Sequence, residues 1–124
     1  MKSANMFTVD ENILKSLGAG TLKVIRAKGI QMEAEIAAKL EELESLVVEG
    51  ASSNGLAKAK VDGTHQILEL SLDPAYSELD NKTKTCTLLT EAINDAIYKV
   101  NLTIENELSN IKYRYTGEVI KSLS

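Results

Sequence analysis

The sequence predicts an α+β protein in which a long N-terminal helix, a three-stranded antiparallel β-meander and a long C-terminal helix follow one another. Two turn-forming dipeptides, Asn54-Gly55 and Asp62-Gly63, separate short runs that are apolar or alternate between apolar and polar residues. The segments on either side of this block repeat apolar residues every three or four positions, which is typical of amphipathic helices. These observations together predict helix, small sheet, helix.

The first long helix is predicted to begin near Thr21. Its apolar stripe consists of residues at spacings of three and four: Leu22, Ile25, Gly29, Met32, Ile36, Leu40 and Leu43. Gly29 is compatible either with a close approach of another helix or with a locally weakened helix. Residues 1–20 are predicted to form an N-terminal extension, either a short helix or a flexible arm, and residues 21–124 a single domain.

The strands of the meander are expected at Leu46–Ala51, Leu56–Val61 and His65–Leu72, joined by tight turns with positive φ angles at the two dipeptides. One face of this sheet is expected to pack on helices, whereas the other face meets water. The apolar face contains Ala57, Ala59 and Val61 on the second strand and Leu68, Leu70 and Leu72 on the third. Pro74 ends the third strand, because proline has no amide hydrogen to donate to the ladder.

The second long helix is predicted to follow a polar connection that covers residues 75–85. Asp80, Asn81 or Thr83 is expected to cap its N-terminus. Its apolar stripe consists of Leu89, Ile93, Ala96, Ile97, Val100, Ile104, Leu108 and Ile111. We expect this helix to end before Gly117, since glycine is the preferred residue just beyond a helix C-terminus.

The length of 124 residues predicts one domain, and the net charge of −4 argues against a generally cationic nucleic-acid binder. No apolar run has the length of a membrane span and the N-terminus does not resemble a secretory signal, so a cytoplasmic location is expected. The two long apolar stripes exceed what a three-stranded sheet covers, and this predicts pairing with a second copy of the chain.

Three segments of this sequence resemble the YbaB/EbfC family. Val48–Gly63 is similar to the hairpin signature of that family, and Leu72–Pro74 and Ala92–Ala96 follow it in the expected order. The resemblance implies a bacterial nucleoid-associated protein, a tweezer-like homodimer that binds DNA without catalysis and without a cofactor. The chain departs from the family in lacking a Met-, Pro- and Gly-rich C-terminal tail and in having a longer N-terminal extension.

The predicted DNA-binding residues lie in or near the first long helix, where residues 12–32 contain no Asp or Glu. Lysine and arginine on an exposed helix neutralise phosphates and release counterions from DNA. The residues expected to do so are mainly Lys23, Arg26 and Lys28, with Lys15 or Lys39 assisting. The alternative interpretation is an ordinary solvated helix face. The corresponding alternative function is a dimeric protein-interaction module that does not bind DNA.

Other candidate sites are weaker. The segment Lys112–Tyr115 alternates basic and aromatic residues and has two interpretations. Either it contacts nucleic acid, or Tyr115 extends the apolar stripe while the basic residues favour a helix C-terminus, and we favour the second. His65 has no other His or Cys at metal-ligand spacing. Asn94-Asp95 is not a catalytic pair, and Asn94 is expected to form a hydrogen bond toward the sheet. The sequence therefore predicts no enzyme, no metal and no small-molecule substrate.

Overall fold

The structure, a computed structural model, describes residues 18–123 and has the predicted α+β order. Its elements are α1 (Ala19–Leu43), β1 (Val47–Ala51), β2 (Ala57–Asp62), β3 (Ile67–Leu72) and α2 (Lys82–Leu123). The chain forms two compact units. The sheet unit comprises Leu40–Asn106, and the described part of the helical unit comprises residues 18–39 and 107–123. Most of the predicted extension, together with Lys15, lies outside the described residues.

The three strands form one antiparallel sheet in the order β1-β2-β3, as predicted. Helix α2 approaches β1 so closely that a Cβ atom on Gly50 would lie 2.2 Å from the backbone nitrogen of Ala96. Small side chains on both elements make this approach possible. The core of the sheet unit consists of Ala57, Ala59, Val61, Tyr76, Leu88, Ala92, Ala96 and Val100. The apolar face predicted for β2 is therefore confirmed.

The predicted tight turn at Asn54-Gly55 is wrong, because the connection between β1 and β2 is longer than two residues. Gly55 has a positive φ of 76°, but Asn54 does not have the positive φ that a type I′ turn requires. The Gly55 amide donates to the Ser52 carbonyl at 2.9 Å, and the Asn54 side chain accepts a hydrogen bond from the Leu56 amide at 3.0 Å. Asn54 therefore acts through its side-chain oxygen rather than through its backbone angle.

The turn between β2 and β3 also differs from the predicted tight turn at Asp62-Gly63. The residue with positive φ is His65, at 67°, and not Gly63. The His65 amide donates to the Asp62 carbonyl at 2.9 Å, which is typical of a three-residue loop closed by a left-handed residue. Gly63 is required for another reason, since its Cβ would lie 1.7 Å from the Leu43 carbonyl oxygen. Glycine at this position lets the turn meet the end of α1.

The predicted packing of the third strand is wrong. Leu68 is 51% exposed and Leu70 is 45% exposed, although both belong to the face that was expected to be covered. β3 is the edge of the sheet opposite β1, and α2 packs closely on β1. A register shift between Lys60 and Val61 also leaves Leu68 without a partner on β2. The third strand therefore presents apolar side chains to solvent in one copy of the chain.

The helix termini agree with the sequence at one end and not at the other. Asn81 caps α2, since its side-chain oxygen accepts from the Lys84 amide at 3.1 Å. The expected end before Gly117 is wrong, because α2 continues to Leu123. Gly117 has no positive φ, and a glycine within a helix costs only about 1 kcal/mol relative to alanine.

The apolar stripe of α1 is largely confirmed. Ile25, Met32 and Leu43 are buried, whereas Leu40 is 42% exposed. No atom lies within 4 Å of a Cβ placed on Gly29, so this glycine does not serve a close approach to another helix in the described part of the chain. Neither helix, over the residues the structure describes, is long and apolar enough to cross a membrane.

Candidate nucleic-acid interface

The net charge of the chain conceals a separation between its two units. The described residues of the helical unit include seven Lys and Arg and four Asp and Glu, a net charge of +3. The sheet unit has five Lys and twelve Asp and Glu, a net charge of −7. The positive charge that could attract a polyanion is therefore concentrated on the helical unit, whereas the negative charge of the sheet unit repels a polyanion.

The two helices of this unit are held together by a small apolar cluster and a polar contact. Met32, Ile111 and Tyr115 are buried against one another. The Tyr115 hydroxyl donates to Glu35 Oε1 at 2.8 Å, and Arg114 forms an ion pair with the other oxygen. The hydrogen bond from Tyr115, followed by that from Arg114, lowers the pKa of Glu35. The same carboxylate raises the pKa of Tyr115.

This arrangement confirms that Tyr115 extends the apolar stripe of α2. The second part of that interpretation is wrong, because α2 continues to Leu123 and Arg114 does not lie at a helix C-terminus. Arg114 instead reaches across to Glu35 on α1 and lies 5.0 Å from the centre of the Tyr115 ring. Its guanidinium group therefore contributes to helix–helix packing.

Two of the predicted DNA-binding lysines are engaged within the protein. Lys28 Nζ lies 2.7 Å from Glu118 Oε1, and Lys39 Nζ lies 3.5 Å from Glu107 Oε1. Both lysine side chains are about two-thirds covered, with 30% and 28% of their surface exposed. These two ion pairs join α1 to α2, and the lysines contact phosphate only if the carboxylates release them.

Lys23 and Arg26 differ from these lysines. Both are exposed on α1, and neither forms an ion pair with any residue between 18 and 123. Their spacing of three positions places them on the same side of the helix. The structure thus distinguishes two cations that are accessible to a ligand from two that are held by acids, a distinction that the sequence does not contain.

The lysines of the sheet unit are mostly neutralised. On the polar face of the sheet, Lys58 lies 3.9 Å from Glu49 and Lys60 lies 3.6 Å from Glu69. Both pairs join neighbouring strands and are exposed to solvent, so each contributes little to stability. With each lysine next to an acid, this face has no surplus of positive charge for a phosphate backbone.

The hydrogen bond toward the sheet that was predicted for Asn94 is formed instead by Asp95. Asn94 is exposed, whereas Asp95 accepts a hydrogen bond from the Ala51 amide at 3.0 Å and pairs with Lys99 at 3.0 Å. The bond from Ala51, and then that from Lys99, lowers the pKa of Asp95. Sequence alone does not separate two adjacent polar residues whose directions on the helix differ by about 100°.

The remaining polar groups do not assemble a metal site in the described part of the chain, where no group of three or more His, Cys, Asp and Glu side chains is suitably placed. His65 Nε2 lies 2.6 Å from Asn101 Oδ1, which ties the second turn of the meander to α2. The histidine is therefore part of the contact between a loop and a helix.

The fold defines a class of protein: small α+β proteins with a three-stranded antiparallel sheet between two long helices in the sequence. The model of the YbaB/EbfC DNA-binding family matches residues 20–114, and the chain belongs to that family. Among solved structures, the chain is similar to the uncharacterized protein HP0035 from Helicobacter pylori, with a TM-score of 0.53 and 21% sequence identity. The match covers 65% of this chain and 94% of that one, and it shows a shared fold.

Proposed function

We propose that this protein binds duplex DNA as a nucleoid-associated homodimer, with little preference for sequence. The observation that carries the proposal is the separation of charge, +3 on the helical unit and −7 on the sheet unit, in a chain of a DNA-binding family. Lys23 and Arg26 are the proposed primary contacts, and Lys15 remains a predicted one. Contacts between such side chains and phosphates supply affinity but carry no direct information about base sequence.

The homodimer is supported by the unequal edges of the sheet. On β1, the Ala51 amide donates to Asp95, and Lys99 Nζ donates to the Glu49 carbonyl at 3.3 Å. These backbone groups point away from β2, because alternate residues of an antiparallel strand face its neighbour and Ser52 bonds to β2. Side chains of α2 therefore occupy the free edge of β1.

The β3 edge has the opposite character. Ile67, Leu68 and Leu70 are each about half exposed, at 48%, 51% and 45%. An edge strand with a row of exposed apolar side chains invites pairing with another strand or sheet. A second copy of the chain is the proposed partner, since covering this row would bury the apolar face that the fold leaves open.

The dimer is tested by replacing Leu70 with glutamate. A charge in the proposed contact should convert the dimer to a monomer in sedimentation velocity, because an unpaired buried charge is strongly unfavourable. The control is Leu79→Glu, at a residue that is 63% exposed in the connection before α2. Leu70→Glu protein that is folded and still dimeric would overturn the assignment of the β3 edge.

DNA binding is tested by fluorescence anisotropy with duplex DNA at several salt concentrations. Alanine at both Lys23 and Arg26 should weaken binding, and it should reduce the slope of log K against log salt by about 1.8 for each protomer that contacts DNA, at 0.9 for each lost phosphate contact. The matched control removes two lysines from the sheet unit, Lys58 and Lys60, and should leave the slope nearly unchanged. Equal effects of both double variants would contradict the proposed interface.

A second candidate function is a dimeric protein-interaction module of the same fold. The net charge of −7 on the sheet unit favours it, because such a surface repels DNA and attracts basic partners. A folded dimer that forms no complex with duplex DNA at low salt would reject the first proposal and support this one.

A further inference from the structure

We propose that Glu118 competes with DNA phosphates for Lys28, so that the protein carries an internal acid which lowers its own affinity for DNA. The inference rests on the proposed DNA-binding function. It starts from one contact, in which Lys28 Nζ donates to Glu118 Oε1 at 2.7 Å. The two residues are 90 positions apart in sequence and lie on α1 and α2.

Lys28 lies in the same turns of α1 as the accessible cations. It is two positions from Arg26, and 30% of its side chain remains exposed beside the 37% of Glu118. Two positions correspond to about 200° around a helix, so Lys28 projects to a different side of α1 from Arg26. A phosphate that approaches on that side meets an ammonium that Glu118 already neutralises. Because counterion release depends on the number of cations that DNA newly engages, a paired lysine adds less to affinity than an unpaired one.

The ion pair is weak enough to be displaced. Both side chains are about one-third exposed, and exposed pairs of this kind are screened by solvent and salt. Arg114 and Glu35 form a different kind of contact, because Tyr115 also bonds to Glu35 beside the buried cluster. Two acids of the helical unit oppose predicted DNA-binding lysines, Glu118 at Lys28 and Glu107 at Lys39, and the Lys28–Glu118 contact is the shorter, at 2.7 Å against 3.5 Å.

The helical unit also provides a matched control. Glu33 lies on α1, is exposed, and forms no ion pair with any residue of the described chain. Glu33→Gln and Glu118→Gln change the net charge by the same amount, but only the second releases a lysine. A difference between the two variants reports the release of Lys28 and not the general change in charge.

The test measures binding of the full chain to duplex DNA at several salt concentrations. For each protomer that contacts DNA, Glu118→Gln should tighten binding about two- to fivefold, the range expected from an exposed ion pair, and should steepen the salt slope by about 0.9. Glu33→Gln should produce a smaller gain and leave the slope unchanged. In a Lys28→Ala background, Glu118→Gln should give no more than the gain of Glu33→Gln. Unchanged far-UV circular dichroism establishes that each variant is folded.

The outcomes separate this inference from the proposed function. If the unaltered protein binds DNA and Glu118→Gln behaves like Glu33→Gln, the competition is disproved and DNA binding stands. If neither the unaltered protein nor Glu118→Gln forms a complex at low salt, both proposals fail. Equal gains from Glu118→Gln with and without Lys28 would also overturn the competition, since the gain would then not depend on that lysine.

Discussion

Replacing Gly50 with alanine should destabilise the sheet unit more than the addition of one methyl group suggests. The new Cβ would lie 2.2 Å from the Ala96 nitrogen, 2.4 Å from the Ala92 carbonyl oxygen and 2.7 Å from the Ala96 Cα. All three atoms belong to the backbone of α2, so no change of rotamer relieves the overlap. The helix must instead retreat from β1.

The expected loss of unfolding free energy follows from these distances. Ordinary contacts begin at 3.4 Å, so the nearest atom must move by about 1 Å, and a gap of that size forfeits up to about half of each dispersion contact that it opens. The contacts at risk belong to Ala92, Ala96 and Val100, which are completely buried. Overpacking typically costs about 1–3 kcal/mol, and we expect about 3 kcal/mol or more here because backbone meets backbone. That is a large fraction of the roughly 5–15 kcal/mol by which domains are stable.

The assay is urea unfolding monitored by circular dichroism at one fixed protein concentration, because the stability of the proposed dimer would depend on concentration. With an m-value of about 2 kcal/mol/M, the midpoint should fall by about 1.5 M. Gly29→Ala is the control, since nothing lies within 4 Å of its added Cβ and alanine favours a helix by up to about 1 kcal/mol. Its midpoint should rise. An unchanged midpoint for Gly50→Ala would refute the direct contact between helix and strand.

Two further substitutions test other contacts of the sheet unit. Gly63→Ala should also lower the urea midpoint, because its Cβ would lie 1.7 Å from the Leu43 carbonyl oxygen. The control Gly20→Ala should not lower it, since open space surrounds that position, and equal midpoints for the two variants would refute the contact. The pKa of Asp95 is lowered because the Ala51 amide donates to its carboxylate, so the ionised carboxylate stabilises the native state at neutral pH. This contribution to stability is lost as the pH falls below about 5 and through the native pKa. Asp95→Asn retains an acceptor without the titration, and its stability should therefore fall less steeply with acid; identical pH profiles would contradict this.

The sequence by itself determined the features that depend on local geometry. The period of the apolar residues predicted both long helices and the buried face of β2, because the direction of a side chain repeats with the helical or extended backbone. Asn81 was among the expected caps, since a short side chain that accepts a hydrogen bond satisfies the amides of a first turn. The family resemblance rested on the same segments, and it is confirmed over residues 20–114.

Other features were decided by contacts between distant residues. Lys28 and Glu118 are 90 positions apart, and nothing in the spacing of charges shows that this lysine is held while Arg26 is exposed. The exposure of Leu70 depends on which strand α2 covers, and the role of Gly63 depends on where the end of α1 arrives. A backbone pattern fixes the face on which a side chain lies, but the partner that this face meets is set by the energy of the whole folded chain.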